Sequence, residues 1–207
     1  GSRFWQHFSR LQQDGLVKHV GLSNCYIQHL EVLHTLITSS VATAGKEVSP
    51  SEVPLAPIYA VQNYMDAAHH EADLLNFCIQ HHIHCLAYRS LAFMSVYGLL
   101  DGVLEDIQEV AKTQGLDSGH QLVLYWLLSR GVCPVVSSVD RAHMMTNYAV
   151  CSRYQQHLQT TQQGEVERGA NTPAGSSLDE VMRKVAAQSE MIDMMGGSDE
   201  YSLAFKA

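Results

Sequence analysis

Between Phe4 and Asn147 short apolar runs alternate with amphipathic stretches, and this alternation restricts the fold more than any other feature of the chain. The runs are Leu16–Leu22, Pro57–Asn63, Ile83–Tyr88 and Val132–Ser137, each too short for a core helix and apolar enough to be a strand covered on both faces. Helical patterns separate them. Phe4, Trp5, Phe8 and Leu11 share one face of a first helix, which Asp14-Gly15 stops, and Ile27, Leu30, Val32, Leu33 and Leu36 mark a second. Further helices are expected over Glu71–Gln80, Val103–Gln114 and His120–Ser129. Connections of this length join parallel strands, so the chain reads as α/β with four βα units, in a barrel or a doubly wound sheet.

The mixture of Ser, Thr, Gly and Pro over Ser39–Pro54 reads as a loop. After Asn147 the composition changes. Residues 1–150 are therefore expected to be one α/β domain, 151–177 a flexible polar insertion, and 178–207 a terminal helix (Leu178–Met195, entered at Ser177) with a tail.

Composition excludes several roles. With 207 residues the chain can bury a substantial core, yet no run approaches the roughly 20 apolar residues of a membrane span. A net charge of −8 and scattered cations give no footprint for nucleic acid. Five cysteines, with no Cys-x-x-Cys pair, favour a reducing, cytoplasmic setting. The chain opens inside a helix without an initiator methionine or a leader-like run, so it is expected to be cut from a longer polypeptide.

Two polar features admit more than one reading. Ser23-Asn24 after the first strand is either a helix cap or a pair of ligand-binding groups, and Tyr88 is either a packed strand end or an aromatic platform. The run from Cys78 to Cys85 is rich in His and Cys, but it crosses from a helix to a strand whose residues alternate faces. No metal site is assigned. His69-His70 reads as a solvated loop, and the later methionines as core or interface fillers.

Several segments look like one known family. Leu16–Asn24 resembles the fifth-strand segment of aldo-keto reductases, which ends Gly-x-Ser-Asn, and Val61-Gln62 resembles the sixth-strand ending. Leu86–Leu91 is similar to the seventh-strand Ala-Tyr-Ser-Pro-Leu, with Arg89 and Ser90 departing from it. Gln121–Trp126 is similar to the helix before the last strand, the likeness runs to Asn147, and Leu178–Met182 loosely resembles a late helix. The resemblance implies the C-terminal half of a TIM-type (β/α) barrel, strands five to eight, plus a C-terminal helix.

It also implies roles. Ser23, Asn24 and Gln62 would hydrogen-bond a nicotinamide carboxamide and Tyr88 would stack on the ring. Ser137, Ser138 and Asn147 would meet the adenosine end, where Ser137-Ser138 replaces the family's Lys-Ser pair and His143 its arginine, or Arg141 serves in another register. Losing those cations is expected to weaken a preference for NADP(H) over NAD(H). The family's proton-donating tyrosine, lysine, histidine and aspartate come from its first four strands. No residue here matches them, so no catalytic residue is assigned and the chain by itself is expected to be inactive. The expected function is part of an NAD(P)(H)-dependent reductase of aldehydes or ketones. The alternative is a non-catalytic, cofactor-binding or regulatory relative acting through a protein partner. Unpaired strand edges lead us to expect self-association.

Overall fold

The computed structural model describes residues 2–43, 54–67, 69, 71–96, 102–165 and 182–183. Its four strands form one sheet in the order β1-β2-β3-β4: β1 is Gly21–Ser23, β2 Ala60–Tyr64, β3 His84–Tyr88 and β4 Val132–Val135. The chain divides into two compact units, residues 1–63 with 71–86 and residues 64–70 with 87–207.

The first unit begins with α1 (Ser2–Gln13), which ends at Gly15 with φ 72°, a conformation that suits a residue without Cβ. Trp5 is buried and donates its indole N–H to the Ala56 carbonyl at 2.8 Å, while the Ser9 hydroxyl accepts from the Ala56 amide at 2.9 Å. These two bonds fix the chain entering β2. Phe4, Phe8 and Leu11, on the flank beside Trp5, stay exposed rather than joining it in the core.

The strand β1 is shorter than the sequence predicts. Leu16 and Val17 return their amides to the Leu11 carbonyl, and Gln12 donates to the Lys18 carbonyl, so this stretch closes α1 before it can extend. Parallel pairing with β2 joins Gly21 to Ala60, Leu22 to Val61 and Ser23 to Gln62. A Cβ at Gly21 would stand 2.6 Å from the Ala60 carbonyl oxygen, so glycine permits this close approach. Helix α2 (Ile27–Thr43) buries Leu30 and Ile37 and runs beyond the expected start of the loop at Ser39; residues 44–53 lie outside the described residues. It packs on α3 (Ala72–Gln80), which buries Leu74 and Cys78.

The second unit holds α4 (Ala92–Val96), α5 (Val103–Thr113), α6 (Gly119–Ser129) and α7 (Arg141–Glu165). Its centre is α6, which contacts α5, β4 and α7. Ser118 caps it by accepting from the Gln121 amide at 3.3 Å, and Leu122, Val123, Leu124, Trp126 and Leu127 are all buried. Each such side chain contributes roughly 1.5–3 kcal/mol of burial, so α6 organises this unit.

Two helices differ from the sequence reading. The short α4 carries no periodic signal. Helix α7 continues through position 150 and into the segment read as a flexible insertion. Its Gln- and Thr-rich sequence looks like a loop, but the Arg153 guanidinium donates to the Gln114 carbonyl at 2.8 Å and Tyr154 meets Tyr125 edge-on at 5.7 Å. The remaining 166–177, and the expected helix Leu178–Met195 apart from Met182 and Arg183, lie outside the described residues. Met182 is helical and buried. Among the described residues no helix is long and apolar enough to cross a membrane.

Candidate functional site

In a parallel α/β sheet the carboxyl ends of the strands and the loops after them are where ligands are met. In the first unit Ser23, the last residue of β1, stands opposite Gln62, in the middle of β2, as its register partner. The Ser23 hydroxyl donates to the Gln62 carbonyl at 3.1 Å, and the Asn24 amide donates to the same carbonyl at 3.0 Å. Asn24 has φ 55°, a left-handed turn that asparagine tolerates better than most residues. It turns the chain out of the strand three residues before α2 begins. Ser23 and Asn24 are exposed and Gln62 is half-buried.

The residue that ties these ends together is Asn63, which the sequence reading passed over. Its amide oxygen accepts from the Cys25 N–H at 3.0 Å and its amide nitrogen donates to the Cys25 carbonyl at 2.7 Å. The only sequence signal was a second carboxamide directly after Gln62. Burial raises the Cys25 thiol pKa and keeps it protonated.

In the second unit Tyr88 ends β3 half-buried, its ring centroid 6.1 Å from that of Tyr64. Arg89 follows at φ 55°, and the buried Ser90 donates to the Ala87 carbonyl at 3.1 Å. Departure from the family pattern at these two positions thus leaves a closed turn. Beyond β2, the fully buried Asp66 carboxylate accepts from the Tyr64 hydroxyl at 2.6 Å and from the His69 amide at 2.7 Å. The His69 ring nitrogen Nδ1 lies 3.0 Å from the same carboxylate. His69 is therefore a member of a hydrogen-bonded cluster and not a freely solvated loop residue. Its signal in the sequence was an acid three residues ahead of a histidine.

Ser137, Ser138 and Asn147 are brought together. All three line one cavity of about 260 Å³, with apolar walls that include Leu124, Val136 and Met144. Ser138 is already engaged: its hydroxyl accepts from the Asp140 amide at 3.0 Å and donates to the Asp140 carbonyl at 3.3 Å. Neither Arg141 nor His143 lines the cavity.

The His- and Cys-rich run distributes its side chains over several contacts. Cys78 and Cys85 are both buried and share a hydrogen bond, which raises the Cys78 pKa with help from burial, and lowers that of Cys85 against burial. His84 packs against Tyr59, with ring centroids 4.7 Å apart, while His81 lies against His34 at 4.0 Å. Among the described residues no group of three or more His, Cys, Asp or Glu side chains could hold a metal ion.

With that geometry in hand, comparison with known proteins finds that the model of the aldo/keto reductase family matches residues 2–166. The chain is 26% identical over 148 residues to deoxymugineic acid synthase 1-D of Triticum aestivum, covering 70% of this chain and 41% of the relative. It is 28% identical over 145 residues to glycerol 2-dehydrogenase (NADP(+)) of Saccharomyces cerevisiae, covering 69% and 40%. The chain thus spans about two fifths of the length of these relatives. Among solved structures it is similar to an aldo/keto reductase from Klebsiella pneumoniae in complex with NADP and acetate, with a TM-score of 0.54 at 19% identity over 88% of this chain and 53% of that one. It is also similar to one from Brucella melitensis, with a TM-score of 0.55 at 20% identity over 87% and 53%. At such identities the likeness shows the fold: four βα units of a TIM-type barrel, in the motif order of its fifth to eighth strands.

Proposed function

The chain belongs to the aldo/keto reductase family, and from that membership we propose that it supplies the nicotinamide-dinucleotide-binding wall of an NAD(P)(H)-dependent carbonyl reductase. In this reading Ser23, Asn24 and Gln62 hydrogen-bond the nicotinamide carboxamide, and Tyr88 offers its ring to the nicotinamide face. Ser137, Ser138 and Asn147 take the adenosine end. The carrying observation is that these last three residues, from the end of the β4 segment and the first turns of α7, line a single cavity.

The residues suit the group. A carboxamide needs both donors and acceptors, which the exposed Ser23 and the half-buried Gln62 provide on adjoining strands. An apolar cavity with a few polar groups suits a flat heterocycle carrying a ribose. A bound reduced dinucleotide supplies the hydride that turns an aldehyde or ketone into an alcohol. The chain's own residues bind and orient it. Nothing in this sequence matches the family's proton donor and its partners, so carbonyl reduction belongs to the complete protein.

The test is titration of the 207-residue chain with NADH and NADPH, followed by calorimetry. Gln62→Leu and Asn147→Ala are each expected to weaken binding roughly tenfold, the usual loss when a ligand's polar group is left without its partner. Absence of binding by both dinucleotides at millimolar concentration refutes the reading.

A further inference from the structure

The adenosine-end cavity carries a charge pattern of its own. Among the described residues, no Lys, Arg or His contributes to its lining, and its polar groups include Ser137, Ser138, Asn147 and Tyr148. None of these is Lys, Arg, His, Asp or Glu. The N-terminus of α7, which begins at Arg141, lies next to it, and the first turns of this helix supply Met144, Asn147 and Tyr148 to the wall. Helix N-termini attract phosphate because their first N–H groups have no partner within the helix. Here that end is occupied by a carboxylate of the chain itself. Asp140 Oδ1 accepts from the Ala142 amide at 2.7 Å and from the His143 amide at 3.3 Å. Those bonds, first that from His143 and then that from Ala142, hold the Asp140 carboxyl below the usual carboxylate range, so it is ionised at neutral pH. Its main chain is in turn fastened to Ser138, on the cavity rim.

We propose that this cavity selects a dinucleotide whose adenosine ribose has a free 2′-hydroxyl and rejects one bearing a 2′-phosphate, with Asp140 as the specificity-determining residue. The inference rests on the dinucleotide reading above and deepens it. A ribose diol needs one or two neutral hydrogen-bonding groups, which Ser137 and Asn147 provide. A phosphate dianion needs cations or free helix amides, and beside this cavity those amides are already bonded to the Asp140 carboxylate. Two of the relatives named above carry NADP in their names or complexes, so the selection would set this chain apart from them.

The experiment measures binding of NADH, NADPH, AMP and 2′,5′-ADP to the 207-residue chain and two variants. NADH and AMP are expected to bind at least about tenfold more tightly than their 2′-phosphorylated counterparts, the scale on which a missing charge-assisted bond discriminates. Asp140→Asn keeps an N-cap but removes the charge, and should raise NADPH affinity relative to NADH roughly two- to fivefold. Ser137→Lys should raise it by more than about tenfold. NADPH binding as tightly as NADH, or an unchanged ratio in Asp140→Asn, overturns the selection while leaving the dinucleotide reading intact. Binding of neither dinucleotide overturns both.

Discussion

Gln121 in the second unit and Asn63 in the first perform the same local chemistry in different surroundings. Each carboxamide satisfies one main-chain donor and one acceptor: Gln121 accepts from the Asp117 amide at 2.7 Å and donates to the Thr146 carbonyl at 3.1 Å, as Asn63 does for Cys25. Gln121 is 3% exposed and bridges α6 to α7, whereas Asn63 is half-buried at a strand end that water can reach. The difference teaches that an amide which frames a site need not be one that faces its ligand. It also teaches that burial, more than bond count, sets what its removal costs.

The comparison is broken most directly by Gln121→Leu. The apolar replacement would leave the Asp117 N–H and the Thr146 C=O without this partner where water is scarce, so a loss of about 2–4 kcal/mol is expected. Equilibrium urea unfolding measures it. Because Thr146 sits beside Asn147 on α7, dinucleotide affinity should fall in the same variant. Asn63→Ala should cost only about 1 kcal/mol, since water can replace the amide at an open strand end. Equal losses for the two would show that burial is not what separates these bridges.

The same contrast explains what could be read from the sequence. Ser23 and Tyr88 were legible because their signals are local: each closes or follows an apolar run, and the structure places each at a strand terminus, while Gln62 sits in the middle of β2, opposite Ser23 in the register. Asn63, Asp66 and Asp140 were not legible in their roles, because each acts on a main chain whose position depends on folding elsewhere or on a turn with no pattern. Gln121 was visible only as part of a resemblance, and its closure onto Thr146, 25 residues away, supplies the physical reason for a polar residue on an otherwise apolar helix. The extent of α7 escaped for the opposite reason. Its polar composition suggested a loop, while a few contacts to Gln114 and Tyr125 hold it against the unit.

Acid provides the finest test of the comparison. In the first unit α2 meets α3 through His34, whose ring lies 4.0 Å from that of His81 and 5.7 Å, edge-on, from that of Phe77. Burial, and then the charge of His81, lower the His34 pKa from its ordinary 6.5. The folded state therefore takes up this proton less readily than the unfolded chain does. The stability linked to His34 is full above about 6.5 and is lost as pH falls through the lower folded value. The ring is part-exposed and screened, so the effect should stay below about 1 kcal/mol, and His34→Gln should remove it. The bridge from Gln121 has no proton to gain over this range. Between about pH 7 and pH 5, hydrogen exchange should therefore show α2 and α3 amides losing protection before those of α6. If α6 loosens first, or if His34→Gln leaves the acid dependence unchanged, the histidine contact is not what makes the first unit the more acid-sensitive of the two.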